Sequence, residues 1–104
     1  MIVTMAETVP GREVGEVIGI ARGNVVRTRF FGRDIMAGLR NLVGGEVPEY
    51  TKLMAEAREQ ALDRMRADAQ SLGADAIVSM RITTSMIMGG SAELLAYGTA
   101  VRLK

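Results

Sequence analysis

The chain has 104 residues, 48% of them hydrophobic and 24% charged, the composition of one globular domain and not of a disordered segment. A net charge of +1 leaves no strong field to attract nucleic acid or an anionic membrane. With no cysteine and no histidine, the chain has no disulfide, no thiolate or imidazole metal ligand, and no Ser–His or Cys–His nucleophile. A protein that is not an enzyme and holds no cofactor is therefore expected.

Met1 to Met5 lacks a basic start and a long apolar run, so no signal peptide is expected there. No stretch approaches the roughly 20 apolar residues of a membrane span. The expectation is a cytoplasmic protein without a membrane partner.

Residues 2–5 read as a short strand that stops near Pro10-Gly11. Arg12 to Phe30 is rich in Val and Ile and reads as a long strand or a bent pair, broken near Gly23-Asn24. Gly15, Gly19 and Gly23 recur at four-residue steps, and an interior strand glycine signals a bulge or a close backbone approach.

Phe31 to Val43 reads as a short helix, with Asp34 in its first turn, Ile35, Leu39 and Leu42 at helical spacing, and Gly44 as its stop. Pro48 opens a longer helix, where its missing N–H costs nothing. Tyr50, Met54, Ala57, Ala61, Met65 and Leu72 form one stripe, widened by Leu53, Leu62 and Ala69. Lys52, Glu56, Glu59, Asp63, Arg66 and Gln70 lie opposite. Arg58 and Asp68 fall inside the apolar arc, and Gly73 ends the helix.

Ala76 to Thr84 alternates as a half-buried strand, with Ala76, Val78, Met80 and Ile82 on one face and Ile77, Ser79, Arg81 and Thr83 on the other. Met86 to Ser91 reads as a loop or hairpin turn. Glu93 to Leu103 is the last strand; Leu94, Ala96, Gly98 and Ala100 line one face, and Leu95, Tyr97, Thr99 and Val101 the other. Both faces lack charge until Arg102. Two substantial helices cannot cover both sides of such a sheet, so a neighbouring copy is expected over one of them. Candidate interface residues are Val17, Ile18, Leu95, Tyr97 and Val101.

These pieces, in order, resemble the YbjQ-like family, a small bacterial and archaeal family that carries a heavy-metal-binding label. The resemblance rests on Pro10-Gly11, Val14 to Gly19, Gly23-Asn24-Val25-Val26, Asp34 to Arg40, Gly44-Gly45-Glu46, Tyr50-Thr51, Ala57-Arg58, Ala61, Arg64-Met65, Ala69, Leu72 to Ile77, and Ala96 to Val101. It implies a single α+β domain over residues 1–104, a mainly antiparallel sheet with two consecutive helices in the order β-β-α-α-β-β. It also implies a homopentameric ring with sheet contacts between subunits.

Three groups of residues are candidate sites. The chain has eight methionines, and thioethers ligate Cu(I); Met86 and Met88 are the metal candidates, against the reading that methionine fills irregular packing space. Arg27, Arg29 and Arg33 flank Phe30-Phe31, a pattern that binds single-stranded RNA or anions, against the reading of a solvated strand end. Near-neutral charge makes a nucleic-acid partner the weaker reading. Arg58, inside an apolar arc, calls for a carboxylate such as Glu46 or Asp75, or an anion held between subunits.

Overall fold

The computed structural model describes residues 1–27, 48–87 and 91–104. Among these residues four strands, β1 (Ile2–Val3), β2 (Val14–Arg27), β3 (Ala76–Met86) and β4 (Ala92–Leu103), form one mixed sheet in the order β1-β3-β4-β2. β1 runs parallel to β3, while β3–β4 and β4–β2 are antiparallel. Among the described residues there is one helix, α1 (Pro48–Ser71), which lies across the sheet. The shorter helix expected over Phe31 to Val43 lies outside the described residues. The fold is α+β, as expected.

α1 packs by small side chains. Ala57, Ala61, Met65 and Ala69 are buried against Ala21 and Val25 of β2, Ile77 of β3, and Leu94, Ala96 and Ala100 of β4. Alanines on both surfaces let helix and sheet approach closely. Gly23 marks the tightest point: a Cβ there would strike the Met65 nitrogen and the Ala61 carbonyl oxygen of the helix backbone. The expected break at Gly23-Asn24 is therefore corrected, because β2 runs unbroken through both residues. Its register shifts lie earlier, between Val14 and Glu16 and between Val17 and Gly19. So Gly15 and Gly19 belong to bulges, and Gly23 to a close approach.

The end of α1 follows its sequence. Gly73 has φ 80°, the Ala74 N–H donates to the Ala69 carbonyl (3.0 Å) and the Gly73 N–H to the Gln70 carbonyl (3.0 Å). That is the Schellman pattern, in which glycine takes the left-handed position without steric cost. Two assignments on α1 change. Leu72 is exposed, since the helix has already ended. Arg58 is exposed too and lies outside the buried stripe, so it needs no buried counter-charge. Asp75 instead accepts the Leu103 N–H at 2.9 Å.

β3 departs most from its expected pattern. Ala76, Ile77 and Val78 pair with Val101, Ala100 and Thr99, but Arg81 pairs with Tyr97, so Ser79 and Met80 together face one β4 residue. Ser79 sits at φ 54°, and its N–H donates to the Ala6 carbonyl at 2.9 Å. The bulge inverts the alternation. Ile77, Met80 and Ile82 share the helix side, and Ala76 and Val78 join Val101 on the far side.

On that far side, Val9 covers Ala76, Val78 and Val101, with Val14 and Leu103 at the margin. The chain between β1 and β2 is held there by the Thr4 N–H to the Ile77 carbonyl (2.9 Å) and the Met80 N–H to the Thr4 carbonyl (3.1 Å). This small second core occupies one end of the face. The first strand is correspondingly shorter than expected, Ile2–Val3 rather than residues 2–5.

Candidate interaction face

The rest of the far face is open among the described residues. The register places its side chains in rows across β3, β4 and β2: Val78–Thr99–Ile20, Arg81–Tyr97–Arg22, Thr83–Leu95–Asn24 and Ser85–Glu93–Val26. Directly opposed residues in an antiparallel pair share a face. Val17 (65% exposed), Ile20 (62%) and Val26 (50%) are large apolar groups left in solvent on one strand. Leu95 and Tyr97 beside them are half-buried.

Tyr97 is flanked by an arginine on each side. Arg81 is tied back, donating to the Met80 carbonyl (2.8 Å) and the Met5 carbonyl (3.2 Å). The Arg22 guanidinium makes no hydrogen bond or ion pair among the described residues. Asn24 donates to Glu93 Oε2 at 3.3 Å, which occupies the carboxylate on this face. Arg81 owes its position to the bulge: unbroken alternation from Ile77 would have turned it under the helix. The sequence pattern missed Ile20, Arg22, Val26 and Arg81 as members of this face. For Ile20 and Val26 a signal existed, since both alternate with the buried Ala21 and Val25.

The candidate interface residues divide. Val17, Leu95 and Tyr97 lie on the open face. Val101 does not present to a neighbour, because it is 1% exposed beneath Val9. Ile18 sits in the second register shift of β2 and packs partly against the helix-side core, so it too is turned inward.

The candidate anion-binding arginines do not converge. Arg27 is half-buried and donates to Gln60 Oε1 at 2.7 Å, which fastens it to α1. Its Nε is buried without a partner among the described residues. Arg58 is exposed on the helix. Arg29 and Arg33 lie outside the described residues.

A heavy-metal site is not supported by the donors present. The chain has no thiolate or imidazole, and among the described residues no three carboxylates group closely enough to hold a metal ion. Met86, expected in a loop or hairpin turn, instead ends β3 opposite Ala92 and is 63% exposed. Met88 lies outside the described residues. A lone exposed thioether is a weak ligand even for Cu(I).

Comparison with known proteins agrees with this α+β architecture. The model of the YbjQ family, described as "putative heavy-metal-binding", matches residues 1–104. A UPF0145 protein of Archaeoglobus fulgidus is 58% identical over 104 residues, covering 100% of this chain and 96% of that protein. A UPF0145 protein of Vibrio campbellii is 55% identical over 103 residues, covering 99% of each. The chain belongs to the YbjQ-like, or UPF0145, family. Among solved structures, a Pediococcus pentosaceus protein of unknown function assigned to the DUF74 family superposes with a TM-score of 0.66. It covers 100% of this chain and 98% of its own at 14% identity, a likeness of fold alone. Among the described residues, no helix is long and apolar enough to cross a membrane.

Proposed function

We propose that this chain is a non-enzymatic, homo-oligomeric binding or structural protein of the cytoplasm, in which a neighbouring copy covers the open face of the sheet. The observation that carries this reading is the exposed row of Val17, Ile20 and Val26 beside Leu95 and Tyr97. Exposed apolar groups gathered on one sheet face and interleaved with Arg22 and Arg81 support an interaction surface, where aromatic, aliphatic and arginine side chains are favoured. The family resemblance supports a ring of five. Heavy-metal binding has no support in the described donors, and an anion- or RNA-binding ring is disfavoured because Arg27 is engaged by Gln60.

Tyr97→Asp tests the reading. Aspartate removes the ring's contact area, and even beside Arg22 and Arg81 it would carry an ion pair into a covered interface, where desolvation offsets the attraction. Sedimentation velocity should show the variant shifted toward monomer. A variant as fully assembled as the parent would refute the assignment of this face.

A further inference from the structure

Among the described residues, β2 is the outermost strand of the sheet, 14 residues long. A long edge with free backbone groups is a template for another strand. A second copy could therefore complete this sheet in two ways: by covering the open face or by adding a strand to β2. The hydrogen bonds of α1 discriminate between them.

Successive residues of an antiparallel strand turn their N–H and C=O alternately toward and away from the partner strand. In β2 the backbone groups of Arg22 and Asn24, two residues apart, point the same way, and both are met by side chains of the helix. The Arg22 N–H donates to Asp68 Oδ2 at 3.0 Å. The Asn24 carbonyl accepts from Arg64 Nη1 at 2.6 Å. These groups thus turn away from β4, and Arg64 and Asp68, one helical turn apart on α1, supply both a donor and an acceptor that an added strand would otherwise supply. The close approach at Gly23 brings the helix near enough for both to reach.

We infer that Arg64 and Asp68 guard the outer edge of β2 against strand addition, so that a second copy meets the open face and not this edge. The inference rests on the self-association reading above, and it explains why Asp68 falls within the apolar arc of an otherwise regular amphipathic helix. An incoming strand would have to displace two charge-assisted hydrogen bonds, each stronger than the neutral bond replacing it.

The experiment compares the parent, Tyr97→Asp, and Tyr97→Asp carrying Arg64→Ala and Asp68→Ala. Both alanines are good helix formers, and circular dichroism checks that the helix is retained. Sedimentation reads association, and amide hydrogen exchange reads the Arg22 N–H. The expected result is a protected Arg22 amide in Tyr97→Asp and exchange at least tenfold faster in the triple variant. The triple variant should also show concentration-dependent association that Tyr97→Asp lacks. Asp68→Asn, which keeps an acceptor oxygen, should restore most of the protection. An Arg22 amide unprotected in Tyr97→Asp, or a triple variant no more associated than it, would overturn the guard. If Tyr97→Asp stays assembled, the open-face reading fails instead. The guard is then read in the parent background, as added association when Arg64 and Asp68 are removed, and no gain overturns it.

Discussion

The two faces of this sheet are made from the same strands yet differ in kind. The helix side is built of Ala21, Ala57, Ala61, Ala69, Ala96 and Ala100 around Met65 and Ile77, with every one of them buried. The far side carries bulkier apolar groups at Val17, Ile20, Val26, Leu95 and Tyr97, and it interleaves them with Arg22 and Arg81. Small side chains suit a surface that must lie close to a helix within the same chain. Larger ones with two guanidinium groups suit a surface completed later, where aromatic and arginine side chains are favoured over lysine and glutamate. The difference teaches that along β2 the exposed apolar side chains gather on one face, since Val17, Ile20 and Val26 all lie opposite the helix.

The comparison is broken most severely at Gly23. Gly23→Ala would drive a methyl group into the Met65 nitrogen and Ala61 carbonyl, and backbone cannot swing aside as a flexible side chain does. A loss of about 3 kcal/mol is expected, at the upper end of overpacking costs, measured as a lower urea midpoint at unchanged slope. Tyr97→Asp, by contrast, is expected to change assembly far more than the stability of the single subunit.

Ser79→Gly sharpens the account of the bulge. A serine at φ 54° is strained, and glycine relieves that strain at some cost in unfolded-state entropy. A net gain of about 0.5–1 kcal/mol is expected in chemical denaturation. The smallest effect is expected at Met86→Leu, on an exposed strand end, with stability changed by less than about 0.5 kcal/mol and assembly kept, alone or with Met88→Leu. Disassembly on this change would show that the Met86 end of β3 is a contact.

Much of the helix-side architecture was legible in the sequence. Pro48 and Gly73 bound α1 because each has a backbone property that a helix terminus requires. The alternation of β4 was legible because no bulge interrupts it. The bulge at Ser79-Met80 was not: neither residue is a glycine, and the bulge is stabilised by Ala6 and Thr4, more than seventy positions away. With it went the position of Arg81. Asp68 was legible as an anomaly in the helical stripe, but its partner, a backbone N–H of β2, exists only after the fold forms.

The central claim is that a second copy of the chain covers the open face. Native mass spectrometry of protein purified without added metal tests it most directly, since it weighs the assembly and anything bound to it. The account predicts five times the subunit mass with no bound metal. A bare monomer at micromolar concentration would contradict it.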